Sequence, residues 1–308
     1  MRSIPDTPQA GVALMASAMM FAPLMDMFAK LLTDTMSPGA IGLARFAVQS
    51  LILLPFVFWV RQWSRPTLWH VVAGCLLGAG LVALNAALKH MPVPNVIAIF
   101  FVEPLILTLM SAYILGEGLG WRRLAAVSVG LVGALVVIRP NWQAFGPAAV
   151  YPLFTAVCFA SYLLITRVVA QRGRRVALQF WVGLFAAAAL LVAVVIGDGL
   201  GLPAFAATWP GRHEMWLILG MGLVAALGHQ MIVNAFARAE AGALAPLQYL
   251  EIISAVLIGW FVFGDFPDAL TWTGTAIIIG AGLYVIHRER RLAQRQAMLL
   301  AEPGGGVP

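Results

Sequence analysis

Residues 103–117 read EPLILTLMSAYILGE, and residues 251–265 read EIISAVLIGWFVFGD. In each stretch a glutamate opens an unbroken apolar run. A glycine-acid pair closes it thirteen residues later: Glu103 to Gly116-Glu117, and Glu251 to Gly264-Asp265. Working outward, Asn85-Ala86 with Lys89 corresponds to Asn234-Ala235 with Arg238, and Gly133 corresponds to Gly282. The offsets are 149, 148 and 149 residues, as one small insertion and one deletion would leave them. The chain is a tandem repeat with a period of about half its length.

The composition says what the repeat is made of. The 308 residues are 61% apolar and only 10% charged, against about 45–50% and about 25% in soluble domains. A bilayer explains this, because side chains facing lipid must be apolar as well as those in the core. The net charge of +6 does not point to nucleic acid, since the basic residues lie between apolar segments rather than on one surface. Cys75 and Cys158 lie inside apolar runs without metal-ligand spacing and read as small packing residues.

A helix needs roughly 20 apolar residues to cross the hydrocarbon core. Spans are expected at about 10–32, 38–60, 68–88, 94–115, 121–139, 146–170, 177–197, 214–237, 244–264 and 268–287. Short turns such as Ser37-Pro38-Gly39 and Arg139-Pro140-Asn141 join them. The first run is too long for a signal-peptide core and reads as an uncleaved span. The expected fold is therefore an all-α integral membrane protein, with ten transmembrane helices as two inverted five-helix repeats. Residues 1–143 form the first repeat and 144–290 the second. Residues 291–308 form a cytoplasmic tail whose Pro- and Gly-rich end reads as disordered.

The inversion follows from parity, because similar halves of five spans each must enter the membrane in opposite directions. The charges agree. Alternate loops and the termini collect Arg2, Arg61, Arg65, Arg122, Arg123, Arg172, Arg174, Arg175, Arg238, Arg288, Arg290, Arg291 and Arg295, whereas the opposite side holds Lys30, Lys89, Arg139 and Arg212. Thirteen against four places both termini in the cytoplasm.

Ionisable groups at membrane depth are costly and mark function or pairing. At 1.5 Å per residue, Glu103 and Glu251 lie roughly 20 Å from opposite membrane faces, as a pseudo-symmetric pair near the midplane; whether they face each other is open. Glu103 is a proton acceptor or a ligand for a cationic group, or else a partner of Arg45 or Lys30. Pro104 removes a backbone donor beside it and frees a carbonyl. Glu251 has the same two readings in a less distorted context. Asp26 and Lys30, four residues apart, form a clamp or a self-satisfied pair. Arg45 binds a substrate carboxylate or phosphate, or pairs with Asp26. His229 relays protons or bonds across helices with Gln230. Asn85 and Asn234 complete the polar set. Phe100 and Tyr249, with Phe101, Tyr162, Trp181 and Trp260, either stack on a planar substrate or pack.

These features, above all Glu103-Pro104 through Gly116-Glu117, Gly133, and the echo from Gly264-Asp265 to Gly282, resemble the drug/metabolite transporter superfamily and its ten-span EamA-type members. The likeness covers essentially the whole chain; Asp265 in place of glutamate is its one mild departure. The resemblance implies a bacterial inner-membrane carrier of amino acids, vitamins, other metabolites or drugs, with a cavity lined by spans 1, 3, 4, 6, 8 and 9. Ala44-Arg45-Phe46 with Phe101-Val102-Glu103-Pro104 is similar to a branch that includes riboflavin importers.

The function expected is secondary active transport of a small organic metabolite by alternating access. No Walker-type segment is present for ATP. The competing readings are a membrane-embedded lipid-modifying enzyme and a non-transporting membrane partner. The first lacks His-Glu-x-x-His and Gly-x-Ser-x-Gly, and the second lacks loops long enough for a signalling segment. No catalytic residue, metal or cofactor is expected. The expected partners are a small-molecule substrate and membrane lipid, without nucleic acid, in a monomer or homodimer.

Overall fold

The computed structural model describes residues 7–90, 99–116, 121–138, 150–171 and 174–263, with scattered positions between 269 and 291. The described elements are helical throughout. They are α1 (Pro8–Leu32), α2 (Pro38–Trp59), α3 (Leu68–His90), α4 (Glu103–Leu115), α5 (Trp121–Ile138), α6 (Val150–Ala170), α7 (Arg175–Gly199) and α8 (Arg212–Phe236). After α8 come a single turn, α9 (Ala241–Leu244), a 3-10 stretch (Ala245–Leu250) and α10 (Glu251–Phe263).

Local chemistry sets the helix ends. Thr7 and Ser37 cap α1 and α2, their side-chain oxygens accepting from Ala10 N at 3.3 Å and Ala40 N at 3.2 Å, and a proline follows each cap. Gly116 ends α4 with φ 66°, a left-handed cap that suits glycine. The packing is polar inside and apolar outside. Gln49, Gln179 and His229 are buried, whereas Leu51, Val192, Val195 and Trp216 are exposed, as expected of helices whose solvent is lipid.

Length and composition allow α1, α2, α3, α6, α7, α8 and the stretch Ala245–Val262 to cross a bilayer. Glu103–Leu115 and Leu124–Gly133 are shorter apolar helices. The expected tenth span, and the Gly264-Asp265 and Gly282 motif positions, lie largely outside the described residues.

Two expectations need correction. Spans 4 and 9 were expected as continuous helices, but both are broken. In span 4, residues 99–100 are helical, 101–102 form a turn, and α4 begins at Glu103. In span 9, the 3-10 stretch replaces regular helix up to Glu251. Glu251 was expected in the less distorted context, and it too is the first residue of a half-helix. The physical reason is the same in both places: a proline, Pro104 or Pro246, interrupts the backbone bonding near the break.

The packing repeats under exchange of the two halves. The extensive pair α1·α8 has its counterpart in α3·α6, and α3·α7 has its counterpart in α2·α8. The contact of α4 with α6 is matched by that of the ninth segment with α1. The pair α2·α7 is its own counterpart, and its members are antiparallel: Gly39 lies beside Val194, Gly42 beside Leu190, and Gly183 beside Ser50. These two equivalent helices thus run in opposite directions. The equivalent asparagines also sit at different ends of the bundle. Asn85 Nδ2 donates to Pro38 O at the start of α2, while Asn234 lies near the end of α8 among arginines.

Candidate functional site

The centre of the bundle gathers charge from four helices. Arg45 on α2 is buried, its guanidinium 5.1 Å from the centroid of the Phe46 ring. Its Nη2 lies 3.3 Å from His229 Nε2 on α8. Asp26 on α1 and Arg45 feel each other's charge, but Arg45 turns its Nη2 to the histidine rather than to a direct ion pair. Asp26 is exposed while its electrostatic neighbours, Arg45 and Glu251, lie in the bundle interior. Its accessible face therefore belongs to an internal surface rather than to lipid.

Glu251 is half-buried and lies within electrostatic reach of both Asp26 and Glu103. The two glutamates left open by the sequence thus lie within electrostatic reach of each other, with Asp26 as a third carboxylate. Glu103 is fully buried. Its Oε1 lies 3.5 Å from Gln248 Nε2, a partner not foreseen from the sequence, and its Oε2 has no hydrogen-bond partner.

The break before α4 is held from the other half. Leu105 N and Ile106 N both bond to Val102 O, which leaves Phe101 O to accept from Tyr249 Oη at 3.1 Å. Tyr249 is fully buried, so in this conformation it fixes the break and offers no surface to a substrate. An aromatic run extends from this point. Phe101 meets Tyr249 and Phe100, Phe100 meets Phe159 edge-on at 5.7 Å, and Phe159 meets Tyr162, which meets His229. Phe100 and Phe159 are half-buried and keep free ring surface.

His229 was paired with Gln230 in one reading, and the structure corrects this. Its partners are Arg45 and the side-chain amide of Gln179, the latter 2.9 Å from Nδ1. Residues 229 and 230 point a hundred degrees apart on a helix, so they cannot both face the same neighbour. Asn234 belongs to a different cluster. Its Oδ1 accepts from Arg175 Nη1 at 3.3 Å and Arg238 Nη1 at 3.0 Å, and its Nδ2 donates to Gln230 O. Lys30 lies exposed one turn beyond Asp26. Trp181 packs at the arginine-rich end, its Nε1 donating to Ser64 O.

Spans 2 and 7 were not among the expected cavity-lining spans, yet they supply Arg45 and Gln179. Gln179, Gln248 and Phe159 are the members missed from sequence. A signal existed for the two glutamines, since an amide within an apolar span needs an internal partner.

The EamA-like transporter family matches residues 9–139 and again residues 146–287. The chain belongs to the EamA-like transporter family. It is a multi-pass membrane transporter of small molecules and not an enzyme. It is 28% identical over 277 residues to the S-adenosylmethionine uptake transporter of Rickettsia felis, covering 88% of this chain and 90% of that protein. It is 29% identical over 228 residues to the riboflavin transporter of Rhizobium johnstonii, covering 74% and 73%. The riboflavin transporter of Vibrio cholerae is 27% identical over 262 residues, covering 83% and 85%. The resemblance to the riboflavin branch is thus matched by relatives of that name, alongside the S-adenosylmethionine carriers. A crystal structure at 19% identity matches with a TM-score of 0.73 over 92% of this chain and 98% of that one, which shows the shared fold.

Proposed function

We propose that this EamA-type protein is a secondary active uptake transporter for a zwitterionic metabolite that carries an extra positive charge and a planar ring, of the S-adenosylmethionine type. It works by alternating access in the bacterial inner membrane, with both termini cytoplasmic and ten spans in two inverted repeats, about 1–143 and 144–290. The two matches of the family at 9–139 and 146–287, the exchange symmetry of the packing and the antiparallel α2·α7 pair support the repeat. The thirteen-to-four arginine and lysine asymmetry supports the orientation.

One observation carries the substrate class: Asp26 lies within electrostatic reach of the Arg45 guanidinium and of Glu251, and Glu251 within reach of Glu103, so three carboxylates line up beside one buried guanidinium. S-adenosylmethionine has a sulfonium and an ammonium cation, one carboxylate and an adenine. The cations suit Asp26 and Glu251, the carboxylate suits Arg45, and the adenine suits the free ring surface of Phe100 and Phe159. Riboflavin, the substrate in the name of other relatives, would use the same rings but leave the charges unmatched, at a cost in an enclosed site.

Uptake of labelled S-adenosylmethionine into proteoliposomes tests this reading. The expected result is saturable accumulation that riboflavin in excess does not inhibit. Accumulation of riboflavin instead, or of neither compound, overturns the substrate class.

A further inference from the structure

We propose that His229, Gln179 and Tyr162 form a one-way hydrogen-bond relay that locks His229 as its neutral Nδ1–H tautomer and aims the Arg45 guanidinium at the substrate carboxylate. His229, Gln179 and Tyr162 are all at most 1% exposed, so the protein itself must satisfy their polar atoms. Donor counting then leaves one arrangement. Arginine has donors only. With Arg45 Nη2 3.3 Å away, His229 Nε2 must accept. A doubly protonated ring would set donor against donor and cation against cation. The ring's one proton therefore sits on Nδ1.

Gln179 Nε2 is placed 2.9 Å from Nδ1, and Tyr162 Oη donates to Gln179 Oε1. The two ends of an amide have the same shape, and the donor count requires the group turned end for end, with its oxygen accepting from Nδ1–H. The turned amide then brings its NH2 to the place Oε1 holds, 3.3 Å from Tyr162 Oη, and donates there. The Tyr162 hydroxyl proton is then free to turn to Thr166 Oγ1, one turn further along α6, a fully buried atom with no hydrogen-bond partner. Every bond in the chain points the same way, from Arg45 through His229 toward α6. The opposite direction would place a proton on Nε2, against the guanidinium.

The relay explains why Arg45 can stay oriented without a direct carboxylate partner. One Nη2 bond and the Phe46 face hold the group, while Nε has no protein partner. A guanidinium held on one edge keeps donors for a ligand carboxylate. The members come from α2, α8, α7 and α6, so the relay also ties the two repeats together at the site. His229, Gln179 and Tyr162 are positioning residues here, and Arg45 is the group that touches substrate. The carboxylate-binding role rests on the substrate class proposed above, whereas the tautomer does not.

Two measurements test it. In the full-length protein labelled with 15N-histidine, the His229 signal, assigned by its loss in His229→Asn, is expected to show a protonated Nδ1 and a bare Nε2 without any substrate. A protonated Nε2, or both nitrogens protonated, overturns the relay. In proteoliposomes, Gln179→Leu is expected to raise KM for S-adenosylmethionine about tenfold, the scale of one lost hydrogen bond. It should leave KM for the decarboxylated analogue unchanged. Gln179→Glu, whose carboxylate also accepts from Nδ1–H, should restore KM. An equal rise for both compounds makes Gln179 a packing residue and overturns the positioning role. If the wild-type protein transports neither compound, the substrate class fails while the 15N result still decides the tautomer.

Discussion

Glu103 and Glu251 hold equivalent places in the two repeats, each as the first residue of a half-helix, and their surroundings have diverged. Glu103 is sealed, with one oxygen toward Gln248 and the other without a partner. The break beside it is braced by Tyr249 from the other half. Glu251 is half-buried and shares its neighbourhood with the exposed Asp26. Both sit where the partial positive charge of a helix N-terminus favours an anion. Duplication supplied the same backbone device twice, and side-chain packing then made one copy enclosed and the other accessible. The accessible copy suits contact with a substrate cation. The enclosed one suits a proton that binds and leaves as the bundle rearranges.

Substitutions at the two carboxylates should separate these roles. The largest effect is expected for Glu103→Gln: gradient-driven accumulation is lost, while substrate exchange across the membrane persists and the protein still folds. Near-normal proton-dependent uptake in this variant would remove Glu103 from coupling. Glu251→Gln should instead raise KM in exchange and accumulation alike, by about tenfold to a hundredfold, the range for one lost charge-assisted contact. If the two variants behave alike in exchange assays, the division of labour between them is wrong.

A smaller effect is expected at the brace. Tyr249→Phe removes the hydroxyl that meets Phe101 O and should lower stability by about 1 kcal/mol, read as a modest drop in thermal midpoint with KM nearly unchanged. A large KM change would give Tyr249 a direct part in binding.

Much of this was legible from residues alone, and the reasons differ by feature. The all-helical membrane class follows from composition, because lipid rewards apolar side chains wherever they fall. The repeat is visible because duplication copies sequence at a fixed offset. The helix break before Glu251 was less legible, since its proline lies five residues upstream of the carboxylate rather than beside it. Gln179 and Gln248 were missed because an amide matters through what it faces. The His229 pairing was misassigned because residues adjacent in sequence diverge around a helix.

The sequence by itself determined the solvent, the helical class and the duplication. Those are properties of period and composition, which need no knowledge of neighbours. Only the tertiary structure decided that Arg45 turns to His229, that Gln248 meets Glu103, and that three carboxylates from distant segments share one neighbourhood. Such contacts join residues far apart in the chain, as from Arg45 to His229, 184 positions on. They depend on how helices rotate and stack, which local chemistry along the chain does not specify.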